Sequence, residues 1–518
     1  MNDAYDIAVV GSGFGGSLLA MIAHQLGRSV ILLEKNKHPR FAIGESSTPL
    51  SNILLESLAT RYALRGIAPL SKWGSWQRTY PHVACGLKRG FTFYHHIFGA
   101  PCTSDPDHQH QLLVAASPHD RIADTHWYRA EVDHLFVKEA QTIGVQYLDE
   151  VTLQSVSESE NEIGFHARRN NEDFSVRAKF VVDATGPRGF LHHALNLQES
   201  PLPDFPATQA LFSHFTGVGR FVDQISDHAS ELPPYPVDDA AVHHIFEGGW
   251  IWVLQFNNGV TSAGVAATDK LAGRLRFSEG PAAWQRLLDL IPALKNQFAN
   301  SQTVQPSIHM PRVSFRSSAV AGKRWALLPS AAGFVDPLLS TGFPLTLLGV
   351  SRLAEIIERH WDKPEFAASL ESYASQTDNE LLAAADLIAA LYATMANFPA
   401  FTSLSMLYFA AASFSESARR LGKSHLARSF LLHDDPDFAP AMHRCFRHAK
   451  QNCTSLEIEN LAKGVYKAID PINIAGLANP SRRNWYPVDA NDMLNSAAKL
   501  QSTKSEISQL LDKSGFWK

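Results

Sequence analysis

Apolar and polar positions fall into a strand, turn, helix, strand order from the first residues of the chain. Residues 6–10 form an apolar run that reads as a strand, and the glycine-rich stretch 11–16 reads as a turn. Residue 17 to about residue 26 reads as a helix and 29–34 as a second strand, so the chain opens a βαβ unit. Beyond Lys35 the text is loop-like through Pro39 and Pro49. It then alternates strands and turns, rich in His and aromatic residues, to about residue 115. Val132, Leu135, Phe136 and Ala140 recur near helical spacing and predict a helix over 128–141. A strand is expected over 174–183. Mostly alternating β pattern fills 200–311, including strands over 241–246, 250–256 and 260–266. A further strand over 325–328 precedes a chain that is largely helical from Leu345 onward.

Composition narrows the class. With 518 residues, 45% hydrophobic and 19% charged, the chain is globular and large enough for two or three packed layers. Its formal charge of -5 contains no block of like charges, which argues against a nucleic-acid tract or a polybasic membrane patch and for a small-molecule partner. Cys85, Cys102, Cys445 and Cys453 lack metal-like spacing, so no metal site is expected, and their scarcity favours a reducing compartment. The first residues show no basic region, apolar signal core or cleavage site, so a cytoplasmic location is expected. Residues 387–415 carry no Asp, Glu, Lys, Arg or His and are long enough to count formally as a membrane span. Asn397, Pro399 and many Ser and Thr interrupt them, and two buried helices broken near Asn397-Phe398-Pro399 are the expected reading.

The first chemical motif is Gly11-Ser12-Gly13-Phe14-Gly15-Gly16, between a strand and a helix. Such glycines permit a tight turn and close backbone approach to a pyrophosphate, which then rests on the positive end of the helix. Glu34 ends the next strand about 20 residues on, placed to accept a ribose hydroxyl. Gly11, Gly13, Phe14, Gly16 and Glu34 are therefore assigned to a dinucleotide.

Six further segments carry chemistry. Lys35 to Pro49 reads KNKHPRFAIGESSTP, and Arg129 and Asp133 stand one helical turn apart, a spacing that also suits an ordinary salt bridge. Asp183-Ala184-Thr185-Gly186 ends a strand. Residues 331–342 read AAGFVDPLLSTG, a turn entering a helix, whose unpaired N–H groups suit acceptor oxygens or a small anion. Residues 248–255 read GGWIWVLQ; on a strand Trp250 and Trp252 share a face, to wall a passage or simply to pack in the core. Residues 86–93 read GLKRGFTF; if extended, Lys88, Gly90 and Thr92 share one face and Leu87, Phe91 and Phe93 the other, so spacing alone leaves Lys88 toward either a cavity or solvent.

Together these segments resemble the flavin-dependent halogenases, the phenol or pyrrole type more than the free-tryptophan type, within the geranylgeranyl reductase-like FAD oxidoreductases. The resemblance implies an α/β fold: a Rossmann-type FAD-binding core in two parts (1–199 and 312–349), an inserted, mostly antiparallel substrate-side sheet (200–311) and a helical C-terminal region (350–518). It implies FAD beside Lys35, Ile43, Gly44, Glu45, Ser46, Arg129, Asp183, Ser330, Asp336 and Gly342, with Asp133 supporting the local fold. Thr341 and Gly342 would offer their amides to chloride or bromide, Trp250 and Trp252 would flank a passage, and Lys88 would be the catalytic lysine. Reduced FAD, supplied by a flavin reductase or by NAD(P)H, would combine with O2 and halide to give hypohalous acid. Lys88 would hydrogen-bond that acid or form a haloamine, which a desolvated amine with a lowered pKa does most readily.

Three departures stand out. Pro329-Ser330 replaces a Gly-Asp whose carboxylate holds the FAD ribityl chain in relatives, and Leu254-Gln255 replaces an Ile-Pro. Leu339 stands where halogenases of free tryptophan usually carry Glu, which favours a phenolic or pyrrolic substrate, free or carrier-tethered. Hydroxylases, desaturases and reductases that act without halide share the scaffold, and these departures keep that second reading open.

Overall fold

A computed structural model describes residues 4–102, 105–225, 231–451 and 455–517; Cys453 lies outside them. Ala4–Val10 forms a strand whose Ile7, Ala8 and Val9 are wholly buried, as a parallel strand covered on both faces requires. It pairs in parallel with Val30–Leu33 on one side and with Glu172–Asp183 on the other. Gln146–Leu148 and Trp325–Leu327 extend the parallel part, while Ile163–Arg169 and Thr152–Glu158 add an antiparallel flank, giving a seven-stranded sheet. The helices Phe14–Gln25 and Arg129–Thr142 pack together against it. The first helix starts on Gly13, so Gly15 and Gly16 lie inside its first turn, earlier than the apolar pattern suggested.

The segment between Lys35 and residue 115 corrects the sequence reading. Besides strands it holds two helices, Pro49–Arg61 and Trp73–Thr79. Thr48 caps the first through the Ser51 amide, and Pro49 occupies its first turn, a start signal that the loop reading passed over.

A nine-stranded, mostly antiparallel sheet forms the second layer. Thr208–Thr216, Thr261–Thr268, Gly249–Gln255 and Ala241–Phe246 are its centre, as expected of 200–311. It is not confined there, because Gly90–His95, Gln111–Ala115 and Trp485–Tyr486 continue it beyond Ala241–Phe246. Alternation along Gly249–Gln255 divides its side chains between two cores. Ile251 and Val253 pack under the helices Asp269–Leu275, Pro281–Leu290 and Pro292–Gln297, whereas Trp250, Trp252 and Leu254 face the dinucleotide core.

The uncharged run resolves into Glu365–Thr394 and Phe398–Arg420, with the Asn397 side chain accepting from the Ala400 amide and Pro399 in the first turn. Leu387, Ile388, Leu391, Phe401 and Leu404 are core residues, and among the described residues no helix is long and apolar enough to cross a membrane.

Candidate active site

Two cavities meet across a thin wall, and the sequence motifs converge on the first. It encloses about 400 Å³ and is lined by the glycine turn at Gly13, Phe14 and Gly16, by Ile43, Gly44, Glu45 and Ser46, and by Arg129. Ala184-Thr185-Gly186, Ser330, Thr341 and Gly342 line the facing side, and Trp250 and Trp252 close one end.

The glycine turn is built by contact between backbones. A Cβ on Gly16 would lie 2.0 Å from the Gly11 carbonyl oxygen, and one on Gly11, whose φ is +98°, would lie 2.7 Å from the Ala184 carbonyl group. Only glycine allows these approaches, and they seat the turn after Asp183 against the start of the first helix. Asp183 itself is buried: its Oδ1 accepts from the Thr185 amide and hydroxyl, and its Oδ2 from the Leu191 amide. It shapes the turn and does not line the cavity.

Glu34 lies behind the glycine turn. Its Oε2 accepts from the Ser12 amide at 3.0 Å, the Ser12 hydroxyl at 2.8 Å and Arg40 at 3.1 Å. Burial alone would raise this carboxyl, but Arg40, the Asn36 amide and Ser12 hold it below the usual value. Lys35, assigned to the cofactor from sequence, is exposed and lines neither cavity. It stands two residues beyond Leu33, the last paired residue of its strand, after the buried Glu34. Arg40 takes the place at the cavity wall.

Arg129 and Asp133 form more than a helix-surface pair. Both nitrogens of the guanidinium edge bond the carboxylate at 2.8 Å, and Nη1 donates to the Ile43 and Gly44 carbonyls at 3.1 and 2.9 Å. The same guanidinium covers the Phe14 ring. One buried ion pair thus holds the Ile43-Gly44-Glu45 segment over the helix start. Glu45 Oε1 is 2.7 Å from His214 Nε2, while its Oε2 is buried without a partner. His214 carried no sequence signal, since it comes from the distant strand Thr208–Thr216.

The turn before helix Gly342–His360 is tightly determined. Leu339 and Ser340 both take left-handed backbone with φ of +62° and +56°, unfavourable for side chains with a Cβ. Asp336 accepts from the Leu338 amide, from Trp250 Nε1 and from the Tyr392 hydroxyl, and Tyr408 donates to the Leu339 carbonyl. Asp336 and Leu339 are therefore buried behind the turn; neither lines a cavity, and for Leu339 this corrects a substrate-side placement. A Cβ on Gly342 would meet only the Phe334 ring edge at 3.8 Å, so the space in front of the helix start is open.

Lys88 stands in the wall. The segment 86–93 is not one strand: Cys85–Lys88 pairs with Asp124–Trp127, and Gly90–His95 enters the large sheet. The chain breaks at Arg89, whose amide donates to the Asp239 carbonyl and whose guanidinium pairs with Asp120. The break corrects the shared-face reading, because Lys88 Nζ now lies 3.9 Å over the Phe91 ring that a continuous strand would put on the opposite face. Lys88 is wholly buried, and its Nζ donates to Ser46 Oγ at 2.9 Å and the Ser47 carbonyl at 2.5 Å. Burial pulls its ammonium well below the ordinary lysine range, and Asp124 opposes that shift.

Ser46 lines the first cavity and Phe91 the second, which encloses about 160 Å³ and includes Asn52, Asp124, Tyr408 and Phe409. Asp124 had no recognised motif around it.

A family model, tryptophan halogenase, matches residues 123–399, more than half of the chain. The chain belongs to this family. A second model, FAD binding domain, matches residues 6–223. This halogenase is 29% identical over 387 residues to the tetracycline 7-halogenase of Kitasatospora aureofaciens, covering 73% of this chain and 68% of the relative. It is 22% identical over 385 residues to the 1H-pyrrole-2-carbonyl-[peptidyl-carrier protein] brominase of Pseudoalteromonas luteoviolacea (strain 2ta16), covering 74% and 85%. Its fold matches that of halogenase PltM in complex with phloroglucinol and FAD, with a TM-score of 0.81 at 24% identity over 92% of this chain and 99% of that one. The halogenase is thus an FAD-dependent enzyme that uses chloride or bromide. Its first cavity fits FAD: the glycine turn lines it at the start of helix Phe14–Gln25, where a pyrophosphate would meet the positive helix end, and Arg129 holds the Ile43-Gly44 segment beside it.

Proposed function

We propose that this halogenase installs chlorine or bromine on an electron-rich phenol or pyrrole, free or carrier-tethered, held in the second cavity and served by Lys88. The burial of Lys88 between the two cavities carries this reading, since its ammonium touches the Ser46 that lines one and the Phe91 that lines the other.

Gly11–Gly16, Ile43–Ser46 and Arg129 would hold FAD, which, reduced by a separate flavin reductase or NAD(P)H, would supply hypohalous acid from O2 and halide. The Thr341 and Gly342 amides, at the positive start of a 19-residue helix, hold the halide in the open space before that helix. Trp250 and Trp252, with ring centroids 5.6 Å apart, exclude water from the end of the cavity. Lys88 accepts the hypohalous acid at Nζ and orients its halogen toward the second cavity. Its depressed pKa makes the neutral amine accessible near neutral pH, so hydrogen-bonded hypohalous acid and haloamine are both within its chemistry. Leu339 sits in the core and brings no carboxylate to either cavity, where halogenases of free tryptophan usually carry Glu, so a phenol or pyrrole is favoured over free tryptophan. The carrier-tethered option is supported by the pyrrolyl-carrier brominase among the relatives.

The test supplies FAD, a flavin reductase, NADH, O2 and chloride or bromide with a panel of phenols, pyrroles and indoles, and identifies products by mass spectrometry. Halogenated phenols or pyrroles are expected. Lys88→Ala should abolish ring halogenation while reduced flavin is still reoxidised; retained halogenation refutes the role given to Lys88.

A further inference from the structure

The second cavity contains a charged group that the mechanism above leaves unused. Asp124 opens the strand Asp124–Trp127 and is the cross-strand partner of Lys88. Its side chain is 5% exposed. Oδ1 accepts from Asn52 Nδ2 at 2.6 Å, but Oδ2 is buried with no hydrogen-bond partner. A buried carboxylate oxygen without a donor is costly, and a catalytic role is one of the reasons native structures keep such a group. This oxygen belongs to a residue lining the same cavity as the Phe91, Tyr408 and Phe409 rings, beside the lysine that delivers halogen.

We propose that Asp124 is the substrate-anchoring base of this enzyme: Oδ2 accepts the phenolic O–H, or pyrrole N–H, of the ring presented to Lys88, and takes that proton as halogen adds. The assignment rests on the halogenase reading above.

For a phenol the step balances as follows. The ring carbon forms a bond to the halogen of hypohalous acid, and the halogen–oxygen bond breaks with its electrons on oxygen. The Lys88 ammonium protonates that oxygen, which leaves as water. The phenolic proton passes to Asp124, so the ring becomes a neutral halodienone. The ring C–H then gives its proton to the Lys88 amine, Asp124 returns its proton to the substrate oxygen, and aromaticity is restored. Both groups end as they began, and one ring hydrogen has been exchanged for halogen. Burial pushes the Asp124 carboxyl up and the Lys88 ammonium down, which narrows the gap a proton must cross. The other groups that face Asp124 are Glu416, Arg420 and Tyr408, all on helix Phe398–Arg420; Arg420 is paired with Glu416 and Glu56.

Asp124→Asn keeps the size and the Asn52 contact but removes the base. Full-length enzyme with FAD, flavin reductase, NADH, O2 and bromide is given either phloroglucinol or 1,3,5-trimethoxybenzene, with a diffusible 1,3-diketone in parallel to trap released hypobromous acid. In Asp124→Asn the ratio of brominated phloroglucinol to trapped bromine should fall by about a hundredfold, and the ratio for the trimethyl ether, which has no proton to give, by less than about twofold. Equal losses for both acceptors, or no loss for phloroglucinol, overturn the proposal. If the variant does not fold, the unsubstituted enzyme decides. Relative to their rates with free hypobromous acid, phloroglucinol should react about tenfold faster than the ether on the enzyme, and equal relative rates overturn the proposal. Absence of both brominated acceptor and trapped bromine with the unsubstituted enzyme would instead overturn the halogenase reading, and this assignment with it.

Discussion

Trp250 Nε1 donates to Asp336 Oδ1 at 3.1 Å, and this contact joins the middle of the large sheet to the turn that begins helix Gly342–His360. The tryptophan therefore has two duties. Its ring lines the first cavity, and its N–H fixes the carboxylate around which the left-handed pair Leu339-Ser340 is folded.

Asp336→Ala would leave Trp250 Nε1–H, the Tyr392 hydroxyl and the Leu338 amide without their acceptor. Each buried unpaired donor costs about 1–3 kcal/mol, so a loss of roughly 3 kcal/mol or more in urea denaturation is expected. The bromide concentration giving half-maximal halogenation should also rise, by about tenfold, as the turn relaxes. A loss of stability with unchanged bromide dependence would show that the turn does not position the halide.

Much of this arrangement was legible in sequence because it is local. The glycine turn, the Arg129–Asp133 spacing, the paired tryptophans and the Ser340-Thr341-Gly342 turn each declare themselves within a few residues, and all reach the first cavity or its immediate support. The second cavity was not legible. Asp124, Asn52 and Tyr408 come from a strand and two helices far apart in the chain, and no periodicity links them. The break at Arg89 was likewise hidden, since it depends on an acceptor at Asp239 and a partner at Asp120. The helix over Pro49–Arg61 was readable from Thr48-Pro49 but was masked by the loop-like run through Pro39 and Pro49.

Gly16→Ala tests the cofactor cradle. The new Cβ would fall 2.0 Å from the Gly11 carbonyl oxygen, which as backbone cannot swing aside. The glycine turn must open, and the purified variant should lack flavin absorbance at FAD concentrations about tenfold above those that saturate the unsubstituted enzyme. Normal FAD occupancy would place the pyrophosphate elsewhere.

Acid should destabilise the fold through its buried histidines. Burial lowers His96, His126 and His243 to about 3 and holds His244 well below its ordinary value. Between these folded values and the unfolded value of 6.5 the unfolded chain binds more protons, so stability is present above pH 6.5 and is lost as pH falls toward 3. Asp336, raised by burial to about 6, acts in the opposite sense between 3.8 and 6 and offsets part of the loss. One histidine contributes about 2 kcal/mol to the difference between pH 7 and pH 5. His96→Gln removes one such group while retaining a side chain able to meet His244 Nδ1, which lies 2.9 Å from His96 Nε2. Its stability should therefore fall by about 2 kcal/mol less than that of the unsubstituted protein over the same pH interval, as measured by urea denaturation. Equal pH dependence would mean that His96 is already protonated in the folded state or stays neutral in both.

Ser330 tests whether the altered cofactor contact weakens FAD binding. It lies in the short helix Pro329–Ala332 at the cavity wall, where the family resemblance calls for a carboxylate on the ribityl chain. A serine hydroxyl makes a neutral hydrogen bond, whereas a carboxylate makes a charge-assisted one, about twice as strong. The start of that helix also favours negative charge, although four residues make its dipole small. Ser330→Asp should tighten FAD by about tenfold, corresponding to the 1.4 kcal/mol by which a charged hydrogen bond exceeds a neutral one. Titration of the apoprotein by flavin fluorescence quenching measures this directly. A weaker affinity would mean that FAD's ribityl hydroxyls do not approach residue 330, and that the cofactor is held mainly by the glycine turn and the segment under Arg129.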